Sequence, residues 1–189
     1  MSDYINESIA RLDSLGNGRD RRDVPFAGSY WVVPGLLLAG VYPGHHDRDT
    51  MIERCRALVA SGVRHIVNLM EGSDHFKRSS DYAETITASG DVLCTREAIT
   101  DMGVPDHPTM TRVLDVIDRS MEDSMPVYIH CFGGRGRTGT VVGCWLMRRG
   151  LADRTTVLEL MQKLRSDLPD SYMPSPETDE QRRFVLDFG

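Results

Sequence analysis

The segment Val127-Tyr128-Ile129-His130-Cys131-Phe132-Gly133-Gly134-Arg135-Gly136-Arg137-Thr138-Gly139 constrains this chain more than any other feature. Val127 to His130 is an apolar run that begins after Pro126, and it predicts a buried strand. Glycines then interrupt the pattern, and Thr138 to Arg149 predicts a helix. Gly133, Gly134 and Gly136 let the backbone turn tightly and approach a ligand closely. In such a loop successive N–H groups can point inward. The helix beyond adds its own unpaired N–H groups and the positive end of its dipole. The product is an anion cradle, with Phe132, Gly133, Gly134, Arg135, Gly136 and Arg137 as its candidate binding residues.

Cys131 stands at the mouth of that cradle. A helix N-terminus and nearby cations favour a cysteine thiolate, so Cys131 is expected to be a nucleophile at neutral pH. Arg137 sits at the far rim, where its planar fork suits two oxygens of a phosphate. The Thr138 hydroxyl is placed to donate to the cysteine sulfur and so to help it depart in a second step. A thiolate would normally repel a bound dianion. Arg137 and the N–H groups offset that repulsion and spread over the equatorial oxygens of the transition state.

The rest of the chain alternates strands and helices. Leu36 to Ala39, within Trp31 to Gly40, reads as a buried strand. Met51, Ile52, Cys55, Leu58 and Val59 mark one face of a helix that Gly62 would end. His65 to Leu69 is a short strand, Tyr82, Ala83 and Ile86 fit a helix ending near Gly90, and Val92 to Arg96 is a strand. Val113, Leu114, Ile117 and Met121 mark another helix, and a further one runs from about Arg154 to Ser166. Ser175 and Pro176 read as an N-cap and first-turn proline opening a last helix. This order predicts a single α/β domain with a central, mainly parallel sheet flanked by helices. Residues 1–25 are expected to be an N-terminal extension whose short helix carries Ile5, Ile9 and Leu12, followed by a turn at Gly16 to Asp23. The domain itself spans 26–189.

His130-Cys131-x5-Arg137-Thr138-Gly139 resembles the signature loop of the cysteine-dependent protein tyrosine phosphatase superfamily. The paired Gly133-Gly134 is most similar to its dual-specificity and small tyrosine phosphatase branches. The resemblance runs from about Trp31 to the C-terminus. It implies a tyrosine phosphatase-like fold, a cysteinyl-phosphate intermediate and no metal or other cofactor. It also implies a general acid on a loop upstream, where Ile99-Thr100-Asp101-Met102-Gly103-Val104-Pro105 stands. Asp101 then protonates the leaving oxygen and later deprotonates water. Asp106 is the competitor, and the family pattern places the acid before the proline. A C-terminal glutamine that positions water is implied as well. Gln181 is the candidate, although Glu177 stands where many members carry glutamine.

Other readings of the same residues fit less of the pattern. Gly134 to Gly139 satisfies the dinucleotide pattern G-x-G-x-x-G, but Val157, Leu158, Leu160, Met161 and Leu164 spell a second helix where that unit needs a strand. Gly139 is followed by Thr140 and not by lysine, so a Walker loop fails. Cys131 as core packing leaves two arginines and three glycines of the same loop unexplained. Gln181 with Thr178 also fits a helix capping box. His130 is expected to order the loop by hydrogen bonds. His45, His46 and Asp47 read as solvated loop residues. Under oxidation a protective disulfide from Cys131 to Cys94 or Cys144 stays open.

The expected function is a protein phosphatase acting on phosphotyrosine, with phosphothreonine and phosphoserine as further substrates. Two alternatives stay open. One is an inositol lipid or inositol phosphate phosphatase, because Arg135 adds a cation where the phosphoinositide branch carries a basic residue. The other is an inactive phosphate-binding adaptor, against which the presence of Cys131, Arg137 and Asp101 argues. The loop from Glu71 to Ser80, with Phe76, is expected to set the depth of the slot. The expected partner is a phosphorylated protein, with no nucleic acid, because a net charge of -6 excludes general polyanion binding. No apolar run is long enough to span a membrane, and Met1 to Gly18 lacks the apolar core of a signal peptide. Four scattered cysteines without a Cys-x-x-Cys pair disfavour zinc and point to a reducing cytoplasm.

Overall fold

The computed structural model describes residues 24–72 and 82–188. The N-terminal helix and turn expected before residue 24 lie outside the described residues, as does Phe76 with most of its loop. The elements follow the order β1 (Ser29–Val33), β2 (Leu37–Gly40), α1 (Arg48–Ala60), β3 (His65–Asn68), α2 (Ala83–Ser89), β4 (Leu93–Arg96), α3 (His107–Glu122), β5 (Val127–His130), α4 (Gly136–Arg148), α5 (Val157–Leu164) and α6 (Asp179–Leu186). The five strands form one sheet in the order β1-β2-β5-β3-β4. Strands β2, β5, β3 and β4 are parallel, and β1 is antiparallel at the edge. The expected single α/β domain with a mainly parallel sheet is what the chain forms.

Side-chain alternation splits the core between the two faces of the sheet. Tyr30, Val32, Leu37, Ala39, Val67, Val127 and Ile129 face one layer, built from α3 to α6. Trp31, Leu38, Ile66 and Tyr128 face the other, built from α1 and α2. Both faces are covered, so the central strands are apolar throughout. The same alternation carries past the end of β5. It turns His130 toward the α2 side and Cys131 toward the α4 side. Helix α4 is buried along most of its length. A Cβ on its Gly143 would meet Val185 Cγ1 at 2.7 Å and Met161 Sδ at 3.0 Å, so α5 and α6 pack close against it.

The structure departs from expectation at two places. The strand expected at Leu36 to Ala39 is β2, but a further strand, β1, precedes it and pairs with it as a hairpin. Leu36 N–H bonds back to Val33 O at 3.0 Å, and Gly35 takes a φ of 76°, which the turn requires. The last helix opens at Asp179, not at Ser175-Pro176. Thr178 caps it by accepting from Gln181 N–H at 3.1 Å, and the reciprocal half of a capping box is also formed. That pairing satisfies two orphan N–H groups, which makes Thr178 the better start. The Ser175–Pro176 peptide is cis, and the Ser175 hydroxyl donates to Arg135 O at 2.9 Å.

Gly134 fixes where the loop after β5 can lie. Its φ is +67°, and a Cβ there would sit 2.6 Å from Gly40 O and 2.7 Å from Val41 N. Those are backbone atoms of the neighbouring strand and cannot swing aside. Gly134→Ala should therefore destabilise the domain by about 2–4 kcal/mol. Urea unfolding measures this, and a loss well below that range would mean that the loop does not pack on β2.

Candidate active site

The site lies beyond the C-terminal ends of the parallel strands, where open α/β sheets bind ligands. Strand β5 is central, so its exit is held on both sides. Leu69 N–H bonds His130 O at 2.9 Å, and Tyr42 N–H bonds Phe132 O at 2.9 Å. Ile99 N–H in turn bonds Leu69 O at 3.0 Å, which brings the chain after β4 to the same edge. Cys131 is 3% exposed, at the base of the loop. Phe132 is exposed and stacks on Tyr42. Arg135 precedes α4 without a side-chain cap, so the first N–H groups of that helix are left to bind something else.

Arg137 is 2% exposed, in the first turn of α4. Its Nη1 donates to Ile99 O at 3.2 Å, and its Nη2 pairs with Asp101 Oδ1 at 2.9 Å. Asp101 is therefore at the loop, while its competitor is not. Asp106 is the N-cap of α3 and accepts from Thr109 N–H at 2.8 Å. Hydrogen bonds from Thr109 hold the Asp106 carboxyl below the usual carboxylate range, which suits a cap and not a proton donor.

His130 is fully buried. Its Nδ1 lies 2.9 Å from the Cys131 carbonyl and its Nε2 lies 2.6 Å from Tyr82 Oη. A carbonyl can only accept, so Nδ1 carries the proton and Nε2 accepts from the Tyr82 hydroxyl. Burial lowers the His130 pKa to about 4, so the ring is neutral around pH 7. His130 thus fixes the peptide beside Cys131, in line with the ordering role expected of it. Tyr82 is the residue that the sequence reading missed. It read as one position on a helix face, and nothing local tied it to a histidine 48 residues away.

Two expected contacts are absent or altered. Thr138 Oγ1 is buried with no hydrogen-bond partner, so the expected bond to the Cys131 sulfur is not made. Its hydroxyl is left as a donor next to the loop. Arg135 does not stand free as a second cation. It pairs with Glu177, and both are largely shielded from solvent. The glycines are placed as the loop requires, with Gly134 buried and Gly133 exposed. Gln181 and Glu177 lie against Gly136, where a Cβ would meet Gln181 Oε1 at 3.1 Å and Glu177 Oε2 at 3.3 Å.

The other titratable candidates are occupied elsewhere. Asp47 caps α1 by accepting from Thr50 N–H at 2.9 Å, and the His45 and His46 rings lie against each other. All four cysteines are free thiols. Burial pushes the Cys55 thiol up to about 11 and the Cys144 thiol higher still, so both are inert core groups. Among the described residues no helix is long and apolar enough to cross a membrane.

A family model, PTP-SAK, described as the DSP-PTPase phosphatase domain of Swiss Army Knife proteins, matches residues 27–185. The chain belongs to this phosphatase family. The match covers the loop from His130 to Gly139 and the segment of Asp101, so the resemblance read from the signature extends over most of the chain. An uncharacterized protein of Methanocaldococcus jannaschii is 30% identical over 90 residues, 48% of this chain and 55% of that protein. The chain thus spans about half the length of that relative. Tyrosine-protein phosphatase cdc-14 of Caenorhabditis elegans is 26% identical over 168 residues, 82% of this chain and 21% of that protein. Among solved structures, kinase associated phosphatase with its catalytic cysteine changed to serine superposes with a TM-score of 0.68 at 17% identity, covering 80% of this chain and 84% of that one. That likeness is one of fold.

The neutral His130 gives a pH dependence with a definite sign. Its folded pKa of about 4 lies below the ordinary 6.5, so the unfolded state binds more protons between those values. Stability contributed by the neutral ring is fully present above pH 6.5 and falls as the pH drops toward 4. The loss should reach up to about 3 kcal/mol. Urea unfolding across that range should show a shallower slope in His130→Asn than in the native chain. An identical slope would assign the acid sensitivity to other groups.

Proposed function

We propose that this chain dephosphorylates phosphotyrosine in proteins through a phosphoenzyme on Cys131. The observation that carries the reading is a recessed Cys131 served by Arg137, whose carboxylate partner Asp101 is itself exposed and open to displacement, while the more shielded Glu177 neutralises Arg135. A single phosphate on a long, flat side chain fits that arrangement. A nucleophile 3% exposed is reached by an aryl phosphate more readily than by the short phosphoserine side chain. Apolar groups stand ready for the ring: Phe132 is 43% exposed beside Cys131, and Met102 is 50% exposed beside Asp101. Phosphothreonine is the next substrate in this reading. An inositol lipid with several phosphates would need the Arg135 charge that Glu177 takes up.

The steps follow from the placement of the groups. The phosphate dianion displaces the Asp101 carboxylate from Arg137 and takes the guanidinium fork and the N–H groups at the start of α4. The Cys131 thiolate attacks phosphorus in line and the P–O bond to the substrate breaks. Asp101, which takes up a solvent proton on leaving the guanidinium, gives that proton to the departing oxygen. Water then attacks the cysteinyl phosphate and loses a proton to Asp101, while the P–S bond breaks and the thiolate departs. The unpartnered Thr138 hydroxyl is a donor for that thiolate or for a phosphoryl oxygen.

Phosphate release from matched phosphotyrosine and phosphothreonine peptides and an inositol phospholipid, with chelator present, tests this. The phosphotyrosine peptide should be turned over best, and Cys131→Ser should abolish the reaction. Lipid turned over in preference would assign the inositol alternative, and phosphopeptide bound without turnover would assign the adaptor. Asp101→Asn should lower kcat about a hundredfold or more on the phosphotyrosine peptide. An unchanged kcat would remove Asp101 from the chemistry. Glu177→Gln leaves Arg135 unpaired and should raise kcat/KM for the lipid relative to the peptide severalfold. A fixed ratio would mean that Arg135 does not face the substrate.

A further inference from the structure

Gln181 is fully buried, and both ends of its carboxamide are engaged. Its Oε1 accepts from the backbone N–H groups of Glu177 and Thr178, each at 3.1 Å. Two donors fill the two lone pairs of that oxygen, so it has none left to accept from a water. Its Nε2 donates to Gly103 O at 3.0 Å, across 78 positions of sequence. One side chain therefore joins the start of α6 to the loop that carries Asp101. It also packs on Gly136 of the phosphate loop, where a Cβ would come within 3.2 Å of Nε2.

The loop from Ile99 to Pro105 is tied at its start by Ile99 N–H to Leu69 O and by Thr100 Oγ1 to Glu71 Oε1, and beyond those bonds it has two kinds of anchor. Arg137 supplies one, through Asp101 at 2.9 Å and Ile99 O at 3.2 Å. On the proposed mechanism a phosphate displaces the Asp101 carboxylate from the guanidinium, so that contact ends when substrate enters. Gln181 supplies the other. Its partner is a backbone carbonyl that no phosphate competes for. Gly103 also closes the turn around Asp101, since its N–H bonds Thr100 O at 3.0 Å and Met102 takes a φ of 60°. Holding Gly103 therefore holds Asp101. We infer that Gln181 is a positioning residue whose amide keeps Asp101 over the phosphate loop once substrate has taken Arg137. The inference rests on the reading of Asp101 as general acid.

Gln181→Glu separates the latch from the cap. Glutamate serves equally well in a capping box, so its oxygen still accepts from Glu177 and Thr178. Ionised, as it is when the measurements are made at pH well above the carboxyl range, it has no proton for Gly103 O and sets a carboxylate against it. Two measurements decide. The first is kcat on phenyl phosphate, whose poor leaving group needs an acid, and on dinitrophenyl phosphate, whose leaving group does not. Gln181→Glu should lose roughly two- to tenfold on phenyl phosphate and clearly less on dinitrophenyl phosphate. Equal losses on both esters would reduce Gln181 to a structural cap and overturn the inference. The second is hydrogen exchange in saturating inorganic phosphate. The Gly103 amide should exchange faster in Gln181→Glu while the α6 amides stay as in the native chain. An unchanged Gly103 amide would overturn the latch. If the native chain hydrolysed neither ester, the phosphatase reading would fall, and the exchange result alone would still decide whether Gln181 holds the loop.

Discussion

The buried guanidinium of Arg137 is the group on which the rest of the site depends. A cation 2% exposed is costly unless it is paired and hydrogen-bonded. Here the cost is offset by the Ile99 carbonyl and the Asp101 carboxylate, which come from one loop. The arginine therefore draws the acid loop to the phosphate loop before any substrate is present. In the proposed reaction it also gives the site two states, in each of which an anion satisfies the guanidinium. In one, a carboxylate of the chain satisfies the guanidinium. In the other, a phosphate does so, and the displaced carboxyl is left beside the departing oxygen. A lysine would serve less well, because it lacks the fixed fork that meets two partners at once.

Around that cation the fold sets every other charge. Helix α4 directs its uncapped N-terminus at the loop, and His130 is kept neutral by burial so that no second positive charge lies beneath Cys131. Glu177 takes up Arg135, the cation that the sequence left open as a reader of extra phosphates. The loop thus presents Arg137 and the first N–H groups of α4, with Arg135 already paired. An overall net charge of -6 fits the same picture, since attraction is confined to the loop.

Much of this was legible in the sequence because it is local. The change from an apolar run to glycines to an apolar helix fixes strand β5, the loop and α4. Cys131 and Arg137 follow from chemistry within that segment. The alternation of strand and helix signals gave the parallel sheet, and only the antiparallel edge strand β1 was not read. What could not be read depends on side chains meeting across the fold. Tyr82 reaches His130, Glu177 reaches Arg135, and Gln181 reaches Gly103, each from a distant element. Ser175-Pro176 misled for a related reason. Its local pattern suits a helix start, but Ser175 is bonded to Arg135 O and the capping box at Thr178 was available. The choice of Asp101 over Asp106 came from family resemblance, and in the fold Asp101 pairs with Arg137 while Asp106 caps α3 through Thr109.

The central claim is that phosphate passes through a covalent bond to Cys131, and trapping that bond tests it most directly. Native chain mixed with a phosphotyrosine peptide, quenched in acid within the first turnover and digested, should yield the Cys131 peptide bearing one phosphoryl group. The same mixture made with Cys131→Ser should yield none. A phosphoryl group on another residue, or product formed in the burst without any phosphocysteine, would contradict the account.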